Sequence, residues 1–243
     1  MSVITGLNPE RVFFYFEEIA KIPHGSGNTD GIRKYLLDFA KEKNLDCNSD
    51  SAGNVIIKKS ASKGCEKCAP VILQGHMDMV AVKAPGITKD MQTEGLDLFI
   101  EGDFLGAKGT SLGGDDGIAV AYILAILEDD TLVHPPLEIL ITDSEEVGMD
   151  GASGFAPLGF KGKTLINIDS EEEGIFTVGC AGGAMVTCRI PLTDISVDNE
   201  KFDIKADITI SGLTGGHSGE MINKYRAHAC KIAGRLLWAA NEV

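Results

Sequence analysis

Three strand-like apolar runs in this chain each stop at an acid. VILQG leads into His76-Met77-Asp78, LEILITDS into Glu145-Glu146, and KTLINI into Asp169. Short, continuous runs rich in Val, Ile and Leu are what strands look like when both faces are covered. Segments of helical character accompany them, a pattern over 29–43 ahead of the first run and the apolar run GIAVAYILAILED between the first and the second. Strand and helix in alternation predict an α/β fold, a largely parallel sheet flanked by helices. Ligands of such sheets bind in the crevice beyond the carboxyl ends of the strands. The residues that fix the fold therefore also bring acids to one edge of it. SLGGDDG joins them, with Asp115 and Asp116 immediately before the long apolar helix.

The rest of the chain fits round this frame. A helix is expected over 8–21, with Asn8 as its cap, Pro9 in the first turn and Glu10 near the positive end. NVIIKKS and PVILQGHMDMV read as strands joined by the loop 60–69, and 81–110 reads as irregular. Near residue 184 the character changes. AMVTCRIPL and KFDIKADITISGL alternate as half-buried strands do, and KYRAHACKIAGRLLWAA reads as a helix. The expectation is an α/β domain over 1–184 and the start of an α+β domain over 185–243.

Taken singly, each acidic motif has an ordinary explanation. Asp115 or Asp116 would cap a helix, and Glu145-Glu146 would form a solvated turn. Their conjunction is different, because Asp78, Asp115, Glu145, Glu146 and Asp169 would share one crevice with no Lys or Arg inside the motifs. Two unit charges about 4 Å apart repel by about 4 kcal/mol at an effective dielectric of about 20. Bound cations are the simplest remedy, and one His among several carboxylates suits Zn²⁺ or Mn²⁺. A pair of ions needs a bridging carboxylate and terminal ligands on both sides, and it leaves an acid free as a general base. Adjacent Glu145 and Glu146 would divide those roles.

The motifs IPHGSGN, GNVIIK, LQGHMDMV, SLGGDDGIAVA, LITDSEEVGMDGA, LINIDSEEEG, VGCAGG and GLTGGHSG, in this order, cover nearly the whole chain. As a set they resemble the aminoacylase/carboxypeptidase-like zinc hydrolases and, within these, the cytosolic aminoacyl-histidine (Xaa-His) dipeptidases. The resemblance implies that 1–184 is the N-terminal part of a zinc-peptidase catalytic domain and 185–243 the start of a lid and dimerisation domain. It implies two Zn²⁺ per complete site, with Mn²⁺ or Co²⁺ as substitutes. His76 is then a terminal metal ligand and Asp78 the residue that orients it. Asp115 is the bridging carboxylate, followed by a cis peptide to Asp116. Glu145 is the general base, Glu146 and Asp169 are ligands of opposite ions, and His217 contacts the substrate from the lid, often across a dimer. The implied reaction is attack of metal-activated water on a dipeptide carbonyl.

The chain departs from the family in one respect. The second metal of the family takes a late His, and no His follows His228 here. The chain therefore reads as an N-terminal piece that is inactive alone and would form a homodimer through the lid when complete. Removal of an acyl group from N-acyl amino acids is the rival reaction, and a non-catalytic metal-binding module is the rival class. A net charge of -14 argues against nucleic acid and against anionic membranes. No run approaches the roughly 20 apolar residues of a membrane helix, and the first residues lack the pattern of a secretory signal, so a cytoplasmic protein is expected. The six cysteines are too sparse for a disulfide framework, and Cys65 and Cys68 form one CxxC without a second pair. His24 would cap a turn or line the pocket, and His134 would be a solvated loop residue.

Overall fold

Alternation along the strands decides which side of the sheet carries the core. In a computed structural model, which describes residues 3–157, 159–170, 172–179, 182, 186–191, 207–216 and 221–241, the chain divides into two units, Met1–Cys180 and Ala181–Val243. The first unit runs α1 (Glu10–Ala20), α2 (Asp30–Glu42), β1 (Asp46–Ser49), β2 (Val55–Lys59), β3 (Val71–His76), β4 (Leu98–Glu101), β5 (Phe104–Ala107), α3 (Gly114–Glu128), β6 (Leu137–Thr142), α4 (Asp150–Gly154) and β7 (Thr164–Asn167). Val55, Ile57, Leu73, Leu137, Ile139 and Ile141 face one side and join the main core, while Ile56, Ile72 and Leu140 face the other. Successive strand side chains point to opposite faces, so each strand serves both layers.

The main core lies under α1, α2 and α3. Val12, Tyr15, Phe16 and Ile19 repeat at helical spacing and bury one face of α1. That face packs on α3, which packs in turn on β3, while α2 covers β1 and β2. The opposite face carries the small cluster in which Phe155 and Phe160 meet edge to face over Ile56, Ile72 and Leu140.

The five-stranded sheet has the order β1-β2-β6-β3-β7. It is parallel where β3 lies between β6 and β7, and antiparallel from β1 through β2 to β6. The parallel arrangement expected for the sheet thus holds in the part that bears the acids. The antiparallel pairing of β1 with β2 follows from their short link, since a few residues suffice for a hairpin but not for a crossover. Asp50 shapes that link, its Oδ1 accepting from the backbone N–H groups of Ala52 and Asn54, both at 2.9 Å.

Three local expectations need correction. Residues 81–110 are not all irregular, because β4 and β5 pair as a hairpin closed by Gly102-Asp103. The Gly-Asp pair between LFIE and FLGA is a hairpin signal that the reading overlooked. Pro9, not Asn8, occupies the cap position of α1, its carbonyl accepting from Val12 and Phe13. His134 is buried at 8% exposure, because its backbone N–H and carbonyl are both held by Ser62.

In the second unit a 3₁₀ turn (Ile222–Lys224) precedes α5 (Ala229–Asn241), which matches the helix expected there. Of the two strand-like runs, residues 186–191 and 207–213 show no strand among the described residues, and the remainder lies outside them.

Leu124 is fully buried in α3, whereas Tyr122 on the same helix is 40% exposed. Leu124→Ala should lower the unfolding free energy by about 2–5 kcal/mol, and Tyr122→Ala should cost much less. Urea titration of both variants measures the difference.

Candidate metal centre

Parallel pairing sets three strand ends side by side. Opposite His76, the last residue of β3, stands Thr142 of β6, and on the other flank Gln74 pairs with Asn167 of β7. Beyond those ends come Asp78, the turn 143–146, and Asp169. Asp115 arrives from the start of α3, where Gly113 is left-handed and the Asp115–Asp116 peptide is cis, as the resemblance implied.

His76 is the hub. Its Nε2 lies 2.9 Å from Asp115 Oδ1, 3.8 Å from Asp169 Oδ1 and 4.0 Å from Glu145 Oε2. Its Nδ1 lies 2.9 Å from the Asp78 carbonyl and 3.4 Å from Asp78 Oδ1, which fixes the ring and turns Nε2 toward the acids. The Asp78 carboxylate is buried and accepts from Ser26 Oγ at 2.7 Å, from the Glu145 N–H at 2.9 Å and from the Glu146 N–H at 3.4 Å. One carboxylate therefore holds both the imidazole and the turn that carries the paired glutamates.

Two sets of side chains could hold a cation, His76 with Asp115 and Glu146, and His76 with Asp116 and Asp169. His76 is common to both, and Glu145 belongs to neither. Every ligand expected from the sequence within the described residues is thus brought together, with Asp78 behind His76 and Glu145 beside it. His217 lies outside the described residues.

Asp116 was not among the expected ligands. It is buried, and its Oδ2 accepts the His76 backbone N–H at 3.0 Å. Gly75 makes room for it, since a Cβ there would meet Asp116 Oδ2 at 2.6 Å and the Ala119 Cβ at 2.9 Å. A sequence reading can see the doubled Asp but not that the second one reaches back under β3. Ser26, in IPHGSGN, was also missed as the donor to Asp78. His24 is not solvated, and it lines a small cavity with Ile22, Met79 and Ala81. It is buried with Nδ1 2.6 Å from the Ile22 carbonyl, and its Nε2 has no partner among the described residues.

The charges agree with the geometry. Burial alone would lower the His76 pKa, but the carboxylates of Asp78, Asp116, Asp169 and Asp115 override it and raise the pKa to about 10. Burial, then the negative charge of Asp169, pushes Asp116 up to about 8. Burial also raises Asp169, to about 6, with Asp115 and Glu145 adding to the rise and His76 opposing it. Glu146 is raised by burial and by Asp115. For Asp78 burial works upward too, yet its hydrogen bonds from His76, Ser26 and the Glu145 N–H hold it at about 2. The acids gather round His76, where a bound cation would offset their charge.

No family model matches the chain. Its sequence is similar to the cytosol non-specific dipeptidase of Escherichia coli (strain K12), with 40% identity over 237 residues, 98% of this chain and 48% of that protein. The crystal structure of the aminoacylhistidine dipeptidase from Vibrio alginolyticus superposes with a TM-score of 0.74 at 36% identity, covering 97% of this chain and 48% of that one. Aminopeptidase PepT from Bacillus cereus ATCC 10987 shares the fold over 68% of this chain, with a TM-score of 0.58 at 24% identity. The motif resemblance points to the same kind of protein as the first two relatives. The chain spans about half of their length, 48% in each case.

Asp78, with its carboxylate depressed from 3.8 to about 2, stabilises the fold at pH above about 4, and that contribution is lost as pH falls through about 2. Asp78→Asn should therefore be less stable than wild type near neutral pH, and the gap should narrow steadily below about pH 4. Urea unfolding of the two metal-free proteins across that range checks the sign. A gap that is flat with pH would place the role of Asp78 elsewhere.

Proposed function

We propose that the chain is the N-terminal part of a metal-dependent dipeptidase acting on small peptides of the Xaa-His type, with two Zn²⁺ in the complete site and Mn²⁺ or Co²⁺ as substitutes. The observation that carries this reading is the convergence of His76, Asp115, Glu146 and Asp169 at one edge of the sheet, with Glu145 beside them but in neither ligand set. The donors fit such ions, being one imidazole nitrogen and several carboxylates, with His76 as the basic partner at the hub.

His76, Asp115, Glu146 and Asp169 would hold the ions, and Asp116 is placed to assist. Bound, the ions would polarise the peptide carbonyl and acidify a water. The chain's own residues do the rest. Glu145, with its carboxylate 4.0 Å from His76 Nε2, would accept the proton of the attacking water and return it to the leaving amine. Asp78 holds the His76 ring and, through its bonds to the Glu145 and Glu146 N–H groups, keeps base and ligand in register. By the motif resemblance, His217 would contact the substrate. The names of the two closely similar relatives support dipeptides over N-acyl amino acids as substrates, and the intact set of acids argues against a non-catalytic module. We assign 1–184 to the catalytic domain and 185–243 to the start of a lid through which the complete protein would dimerise. A cytoplasmic setting is supported by the name of the E. coli relative. Among the described residues no helix is long and apolar enough to cross a membrane.

In the full-length gene product, Glu145→Gln should keep its metal and lower kcat by roughly 10²- to 10⁴-fold, whereas Glu146→Gln should lose metal. Metal content and hydrolysis of Xaa-His dipeptides, beside N-acyl amino acids as the rival substrates, are the measurements. Equal metal loss in both variants would show that the two glutamates are misassigned, and faster cleavage of the N-acyl amino acids would favour the deacylase.

A further inference from the structure

Between the metal centre and α2 lies a second set of buried polar groups that the proposed reaction does not use. Asp143 directly follows β6 and is separated from Glu145 only by Ser144, which is left-handed at φ 55°. Its carboxylate is buried. Oδ2 accepts from Thr29 Oγ1 at 2.9 Å and from Arg33 Nη2 at 2.5 Å, and Oδ1 accepts from Ser144 Oγ at 3.2 Å. Arg33 is itself held, its Nε donating to the Gly53 carbonyl at 2.8 Å and its Nη2 to Thr29 Oγ1 at 2.9 Å. Fully buried Asn54 closes the base of the same turn, accepting from the Asp143 N–H at 3.1 Å and donating to the Gly151 carbonyl at 2.8 Å. The packing leaves no slack, because a Cβ on Gly53 would stand 2.7 Å from Asp143 Oδ2 and 2.9 Å from Arg33 Nη2.

The turn bearing Glu145 and Glu146 is thus gripped from two sides. Asp78 holds its backbone N–H groups, and α2 holds the side chain at its root. We propose that Arg33, through Asp143, is a positioning residue for Glu145 and Glu146, setting metal affinity and turnover from a place that touches neither metal nor substrate. This rests on reading Glu146 as a ligand and Glu145 as the base. The charge balance favours the assignment. Without a cation Asp143 would be one more buried carboxylate two residues from the base, adding to the repulsion the centre already carries. A guanidinium offers donors in a fixed planar fork, so it sets direction as well as charge, which an ammonium does not.

The alternative is a structural ion pair that merely joins α2 to the sheet. The two roles separate in the full-length protein through Arg33→Met, Arg33→Lys and the double variant Arg33→Met/Asp143→Asn. Thermal stability, Zn²⁺ affinity by chelator competition, and kcat and KM on an Xaa-His dipeptide are the readouts. Arg33→Met leaves a buried charge unpaired and should lose stability, and the double variant should recover most of it because no lone charge remains. Zn²⁺ affinity in the double variant should nonetheless stay about 10- to 100-fold below wild type, as for other residues that orient metal ligands, with kcat reduced more than KM is raised. Arg33→Lys, which folds even if Arg33→Met does not, should show the same loss in weaker form. Recovery of affinity and kcat together with stability in the double variant would make the pair structural and overturn the proposal, as would wild-type affinity and kcat in Arg33→Lys. Tight Zn²⁺ binding by Glu146→Gln would instead overturn the reading of the turn as a ligand carrier, and this inference with it.

Discussion

Repulsion between carboxylates governs the carboxyl edge of this sheet. Asp115, Asp116, Glu145, Glu146 and Asp169 meet there, and among the described residues their basic partner at the hub is His76. A fold tolerates such crowding only where the surrounding structure holds the charges in place. Much of what is unusual in this unit serves that end. Asp78 spends its acceptors on Ser26, the Glu145 N–H and the Glu146 N–H, Gly75 gives up a side chain to admit Asp116, and α2 supplies a guanidinium to Asp143. The raised pKa values of His76 and Asp116, which favour a proton on each near neutral pH, relieve part of the rest.

The two faces of the sheet share this burden unequally. Three helices cover one face and bury nearly all of the large aliphatic side chains, which makes β2, β6 and β3 a stiff platform. Among the described residues the other face carries the small cluster under Phe155 and Phe160. His76 and the Glu145-Glu146 turn follow strands that are paired on both edges and covered, Asp115 and Asp116 open α3, and Asp169 follows β7, which among the described residues pairs with β3 alone and is exposed along its length. Asp169 therefore stands on the least supported of the three strand ends.

The apolar runs ending in acid were legible in the sequence because buried strands leave a continuous signature, and VILQG and LEILIT became covered strands, while TLIN became a strand that is exposed and not covered as the run suggested. The ligand residues followed from the same pattern, since position after a strand end is a local property. What remained hidden depends on distant contacts. Nothing adjacent to Asp116 in the sequence says that its carboxylate reaches the His76 N–H, and nothing near Arg33 says that it meets Asp143 across 110 positions. The β4–β5 hairpin was legible in principle, through Gly102-Asp103, and was passed over amid polar residues. His134 looked like a loop residue by its prolines and was buried by Ser62, a partner 72 positions away.

The strand order has a consequence for synthesis on the ribosome. β3 ends up between β6 and β7, and both of its neighbours come later in the chain. When VILQG emerges it has no edge to pair with until residues 137–142 have followed, and its second edge stays open until 164–167 arrive. β2 waits for the same strand, with only the short β1 beside it. An open, apolar strand edge invites pairing with the wrong chain. The nascent chain thus carries an apolar strand with an open edge through about half the synthesis of the first unit.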